Sequence, residues 1–291
     1  MVKFLKVHKI LVYVGCIGIM IACGGPNKKQ AEENIYQDDI IYSEDFLIED
    51  TEGLEFTGDP YLMGVDSSFD DFVFAYAANP DFQKQRTKFP LPIIEEDLDS
   101  ILLNKDEWVT DTLFTNRKFY TILYDCEDDM ELAGNPDIVE ARIEWIYLED
   151  KSTKFYNFKR TNDIWMLESI SKGHLEAYLN EEFIEFYSNF ATDSLFQVNR
   201  LNHPLVYVTH DPQDDFEIVE KEIDSEYWKD LSPVLPVQKL VNINYGQSND
   251  PKSKTKILAV NGIGYGFSNV FFFKLSPKGS WELCRFEDLG V

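Results

Sequence analysis

The residues of this 291-residue chain best suited to chemistry are a few histidines, two thiols and several runs of carboxylates. His210-Asp211 with Asp214 and Asp215 could hold a divalent ion, as could Asp125, Glu127, Asp128, Asp129 and Glu131. Neither group has the fixed ligand spacing or turn glycine of an EF-hand loop, so no metal site is assigned. Gly262-Ile-Gly264-Tyr-Gly266 has the look of a phosphate loop. It lacks the G-x-G-x-x-G spacing, and strand-forming residues surround it on both sides; alternating glycines there would let a curved sheet bend. No G-x-S-x-G elbow occurs, and Cys126 has no evident histidine partner. Gln83 and Arg86 recur as Gln197 and Arg200, which favours a role in folding over a role in binding. No catalytic residue, metal ligand or cofactor is therefore expected.

Charge narrows the partners. The net charge is −25, and without the first 22 residues, which hold three lysines and no acid, it becomes −28. With no basic patch to release phosphate counterions, nucleic acid is excluded as a ligand. Fifteen acids and no lysine or arginine lie between Gln30 and Gln83, eleven of them from Glu32 to Asp59. Such a run reads as a solvated, self-repelling tether over 23–63.

The N-terminus reads as an address. Lys3, Lys6 and Lys9 precede thirteen mostly apolar residues, Ile10 to Ala22, too few to cross roughly 30 Å of hydrocarbon as a helix. Met20-Ile21-Ala22-Cys23 resembles a lipobox, which implies a signal peptide over 1–22 and a lipid on Cys23 as membrane anchor. By the same analogy, Gly24 after the cysteine favours the outer membrane. Cys126 and Cys284 are then the remaining thiols, and both are expected to stay reduced.

These residues must be held by elements, and the chain writes its elements twice. Shifted by 114 residues, Phe69-Asp-Asp-Phe72 meets Phe183-Ile-Glu-Phe186, Phe82-Gln83 meets Phe196-Gln197, Arg86 meets Arg200, and Pro90-Leu91 meets Pro204-Leu205. Eight of 23 aligned positions (69–91) are identical. Phe69, Phe72, Val73, Tyr76 and Ala77 form a helical stripe, answered by Phe183, Phe186, Tyr187, Phe190 and Ala191. Asp66 and Asn180 are placed to cap these helices, and Asn79 and Asp193 to cap a second, short helix. Pro90 and Pro204 lead into extended segments that belong at sheet edges. Strands follow. Val139, Ala141, Ile143, Trp145 and Tyr147 alternate with Glu140, Arg142 and Glu144, the pattern of a strand with one wet face. The expected domains are 64–176 and 177–291, each α+β, with N-terminal helices packed on a curved antiparallel sheet.

This order of elements resembles the cone-shaped nuclear-transport-factor-two-like fold. The Phe-x-x-Phe, Phe-Gln-x-x-Arg and Pro-Leu string is similar to a Bacteroidetes lipoprotein family of unknown function with tandem domains of that kind. The resemblance implies conical cavities, here lined by Trp145, Tyr147, Trp165, Tyr265 and Trp281. It also implies an intrachain pseudo-dimer joined through the outer faces of the sheets. The function expected is a non-catalytic envelope module that binds a ligand or protein partner, or scaffolds a complex. The alternative is a small-molecule isomerase or hydrolase in one cone, recognisable by a pocket carboxylate or histidine of shifted pKa beside a donor.

Overall fold

A computed structural model describes residues 64–290, apart from Asp97, Tyr265 and the side chains at 214–216. The leader (1–22), Cys23 and the acidic tether (23–63) lie outside the described residues.

The first helix, α1 (Phe69–Ala78), buries Phe69, Phe72, Val73, Tyr76 and Ala77, as its stripe requires. Its cap is Ser68, whose hydroxyl accepts the Asp71 amide at 3.1 Å, and not Asp66. Asp66 instead pairs bidentately with Arg86, at 3.1 and 2.8 Å, and accepts the Trp165 amide at 2.9 Å. α2 (Pro80–Gln85) starts on Asn79, whose side chain accepts the Asp81 and Phe82 amides. After the linker, α3 (Glu181–Thr192) buries Phe183, Ile184, Tyr187 and Phe190. Its stripe is rotated towards Ile184, which leaves Phe186 half-buried among Phe183, Phe190, Phe196 and Phe273. Asn180 makes no capping bond. α4 (Ser194–Val198) is capped by Asp193.

The strands are β1 (Leu91–Glu95), β2 (Ile101–Leu103), β3 (Phe119–Tyr124), β4 (Glu140–Tyr147), β5 (Ser152–Thr161) and β6 (Ile164–His174) before α3. After α4 come β7 (Leu201–Asp211), β8 (Asp214–Ile223), the short helix α5 (Ser225–Leu231), β9 (Lys239–Asn244), β10 (Thr255–Gly262), β11 (Ser268–Leu275) and β12 (Trp281–Asp288). All twelve strands join one sheet in the order β2-β1-β6-β5-β4-β9-β3-β10-β11-β12-β7-β8. Exchanging β1–β6 for β7–β12 reproduces this order read from the other edge. The two middle strands have changed sides: β9 pairs with β4, and β3 with β10. The halves therefore meet edge to edge within a shared sheet, and not as two closed sheets packed face on face.

Alternate residues of the central strands feed two cores. Ile143, Tyr156, Phe158, Val241 and Ile243 pack with α1 and α2, while Ile146, Leu240, Leu258, Phe271 and Phe273 pack with α3. The middle of such a strand is covered on both faces, which corrects the reading of a wet face on β4 at Glu144: it is fully buried, while Glu140 is exposed and Arg142 half-buried. Burying each large apolar side chain contributes about 1.5–3 kcal/mol, so the paired aromatic cores carry most of the fold.

Two further expectations change. Pro90 precedes β1 and Pro204 lies within β7, and neither strand is at an edge; β2 and β8 are. Pro204 falls where the pairing of β7 with β12 shifts register, so its missing N–H breaks no regular ladder. Gly262, Gly264 and Gly266 belong to the β10–β11 turn, closed by the Gly262 amide donating to the Phe267 carbonyl at 2.9 Å. Gly264 has φ +71, a conformation that costs a residue with a Cβ.

Candidate functional site

Strands β9, β4 and β5 lie side by side, and their register brings a cluster together on the α1 side of the sheet. Tyr147 faces Lys239 across β4–β9, and Trp145 faces Lys154 across β4–β5. Directly opposed and diagonal cross-strand neighbours are within reach of long side chains. Lys239 Nζ accordingly sits 3.5 Å from the Trp145 ring centre and 5.2 Å from that of Tyr147. Lys154 Nζ lies 4.9 Å from the Trp145 centre and 4.5 Å from that of Tyr156.

The carboxylate comes from a loop. Lys154 donates to the Tyr156 hydroxyl, which donates to Asp111 Oδ2, and Lys154 Nζ is 3.6 Å from the same oxygen. Gln83 fixes that loop: its Nε2 donates to the Asp111 carbonyl at 2.8 Å, and its Oε1 accepts the Asp111 amide at 2.9 Å and the Trp108 indole at 3.2 Å. Gln197 likewise accepts the Trp228 indole at 3.0 Å. Both glutamines thus pin segments to the end of a short helix. Arg86 and Arg200 lie over Phe82 and Phe196 respectively, each 4.9 Å from the ring centre.

A cavity of about 240 Å³ opens beside this cluster, lined by Arg117, Tyr147, Glu149, Asp150, Gln238 and Lys239. Burial is the main cause that lowers Lys239, with the Arg117 and Lys154 charges adding and Asp111 opposing, to about 8. Burial also lowers Lys154, opposed by Asp111. An amine titrating near neutrality over an indole face can serve as a cation for an anionic or aromatic ligand, or as a nucleophile or base.

Of the expected lining residues, Trp145 and Tyr147 are in this cluster. Trp165 and Trp281 are buried beneath the helices, Trp165 5.0 Å from Phe69 and Trp281 5.4 Å from Phe183 between ring centres. Tyr265 lies outside the described residues. Lys239, Lys154, Asp111 and Arg117 were not anticipated: Lys239 reaches Tyr147 only because a strand of the second half lies beside β4.

The other candidates are dispersed. Asp125 is buried in an ion pair with Lys256, and Asp129 accepts the Ser248 amide at 3.0 Å. His210 Nε2 lies 3.4 Å from the Leu289 carbonyl. Among the described residues no three His, Cys, Asp or Glu side chains gather as ligands for a metal ion. Cys126 is exposed and Cys284 half-buried, and both are free; burial pushes the Cys284 thiol up. Among the described residues, one carboxylate is perturbed beside a donor. Asp70 on α1 accepts the Tyr245 hydroxyl at 2.5 Å, and burial raises its pKa while that hydrogen bond lowers it.

The fold and site define a mixed α+β protein, mostly sheet, with a cationic and aromatic cluster on one face. The chain belongs to the family described as a domain of unknown function, DUF4348, whose pattern matches residues 48–288. It is similar to an NTF2-like protein from Bacteroides fragilis NCTC 9343, known from a crystal structure, with 44% identity and a TM-score of 0.73 over 78% of this chain and 98% of that one. No curated protein matches. The expected resemblance to nuclear-transport-factor-two-like proteins therefore holds for the fold.

Proposed function

We propose that the protein is an envelope lipoprotein, anchored to the outer membrane by lipid on Cys23, whose body is two diverged cone domains and binds a small ligand without transforming it. The observation that carries the binding reading is the gathering of Lys239 and Lys154 over Trp145, with Arg117 beside Lys239 and Tyr147 in the cavity wall, in a chain of net charge −25. Lys239 and Arg117 in the cavity wall suit a small anionic ligand that lies clear of Glu149 and Asp150, and the Tyr147 ring beside them suits a flat or ring-shaped one. The symmetric strand order supports duplication, by the route in which an isologous dimer becomes a fused pseudo-dimer. The side chains are asymmetric. At the corresponding register positions on the other side of the sheet stand Val260, Gly262, Asn269 and Phe119, with neither lysine nor tryptophan.

The test is titration of the protein with ring-bearing anions such as 4-hydroxybenzoate and glucuronate, followed by melting temperature and tryptophan fluorescence. A ligand at 100 times its Kd stabilises by about 2.7 kcal/mol. Saturable shifts lost in Lys239→Met are expected; no shift with any anion refutes the reading. A second reading, an isomerase or hydrolase, is favoured by the raised Asp70 beside Tyr245. Neither residue lines either of the two cavities described, which favours the binder. Turnover abolished by Asp70→Asn would reverse that preference.

A further inference from the structure

The opposite face of β4 holds a larger cavity, of about 460 Å³, between the first-half sheet, the linker at Leu179 and the loop after β9. Arg142 stands in its wall at the centre of a polar row. Asn157 on β5 and Asn244 on β9 are its direct cross-strand neighbours, and all three line the cavity. Arg142 is held from behind. Its Nε donates to Glu144 Oε1 at 2.6 Å, and its guanidinium lies 5.0 Å from the Phe155 ring centre. Glu144 is itself fixed by Asn244 Nδ2 at 2.9 Å, Asn242 Nδ2 at 2.8 Å and the Tyr178 hydroxyl at 2.9 Å. Among the described residues, the two Nη groups of Arg142 have no protein acceptor. Asn249, another wall residue, has a buried Oδ1 with no partner. The Asn157 amide nitrogen donates to Ser169 and Ser171, so its oxygen is turned to accept.

An arginine fixed through Nε and by stacking has lost most of the side-chain freedom that binding would otherwise cost, and it presents a planar fork of donors. A buried polar atom without a partner calls for an explanation, and a ligand donor supplies one. We infer that this cavity is a second binding site, for a small carboxylate that also carries hydroxyl or ammonium groups, an amino acid or sugar acid in size. The carboxylate would take the Arg142 fork, and the donors would meet Asn249 and Asn157. The volume is in the range of small-molecule sites, roughly 300–1,000 Å³. This inference does not rest on the Lys239 cluster, which lies on the other face of the same strand.

The test is calorimetric titration of the full chain with gluconate and threonate, and with their uncharged counterparts glucitol and threitol. The carboxylates should bind at least tenfold more tightly than the uncharged pair. Arg142→Gln should abolish that difference. Asn249→Leu, which narrows the cavity, should weaken the binding that depends on Arg142 at least tenfold, and Ile218→Thr on the outer strand β8 should leave it unchanged. Equal affinity for gluconate and glucitol, wild-type binding by Asn249→Leu, loss of binding in Ile218→Thr, or no heat with either carboxylate at about 10 mM, enough to saturate a site of Kd about 1 mM, would overturn the proposal.

Discussion

Lys239 offers a direct measurement of the candidate site. Its amine is lowered from 10.5 to about 8 because it is buried against Trp145 and Tyr147 near Arg117 and Lys154. At pH 7.5 an amine of pKa about 8 is roughly one quarter neutral, whereas one at 10.5 is neutral about once in a thousand, a ratio of roughly 200. Lower basicity and cover by the indole reduce intrinsic reactivity by about tenfold or somewhat more, leaving an advantage on the order of ten. Lys151 is a suitable reference, since it is exposed and its pKa is raised by Glu185. Brief acetylation from pH 6 to 10, with peptide mapping by mass spectrometry, should give Lys239 a rate midpoint near 8 and a rate above that of Lys151 at neutral pH. Linkage gives an independent sign. The folded state holds the Lys239 proton less tightly than the unfolded state, so this group opposes folding below about pH 8 and ceases to do so as pH rises towards 10.5. Stability relative to Lys239→Met should therefore rise across that window. A labelling midpoint near 10, or a rate equal to that of Lys151, would refute the argument that the cluster desolvates this lysine.

Three other outcomes follow from the packing. Glu144→Leu strands the Tyr178 hydroxyl and the Asn242 amide in a buried site, at about 1–3 kcal/mol each, so urea unfolding should show a loss of about 2–6 kcal/mol; a loss below 1 kcal/mol would mean the network is dispensable. Phe72→Ala should cost about 3–5 kcal/mol and Phe186→Ala clearly less, because Phe72 is fully buried and Phe186 half-buried; equal losses in chemical denaturation would place the α3 stripe where its sequence puts it. Residues 178–291 expressed alone should aggregate or form a dimer, since β10 loses β3 and β9 loses β4; a soluble monomer by light scattering would contradict the strand exchange.

The α1 stripe was fully legible, because five apolar residues at helical spacing leave one face to bury. The α3 stripe was legible only in phase: Phe186 fits the spacing, yet Ile184 is the better buried, and nothing local chooses between them. Glu144 was misread for a physical reason. Alternation of apolar and charged residues identifies a strand but says nothing about what covers its polar face, and here Tyr178 and Asn242, distant in sequence, do so. Asp66 shows the same limit. It stands where a helix cap is expected, but the Arg86 guanidinium and the Trp165 amide take its carboxylate, leaving Ser68 to cap. Of the site, Trp145 and Tyr147 could be named because the resemblance implies an aromatic-lined cavity and both lie on the strand with the clearest alternation. Lys239 could not, since its neighbour is set by which half supplies the strand beside β4.

That exchange ties the site to the whole chain. In an unexchanged sheet β3 would lie beside β4, and Tyr147 would face a first-half residue where Lys239 now stands. Because β9 has crossed, the first-half cluster gains a lysine that the second half provides, and the Arg142 row gains Asn244 on the other face of the same pairing. Both cavities therefore include residues from the two halves, and neither half carries either site alone. Breaking the β4–β9 pairing itself, as proline in place of Val241 would, should then act on the two cavities together, while substitutions at the outer edges, β2 and β8, should leave both intact. The crossing of β9 is thus more than a device for stability: it places residues from both halves of the sequence in the same pair of pockets.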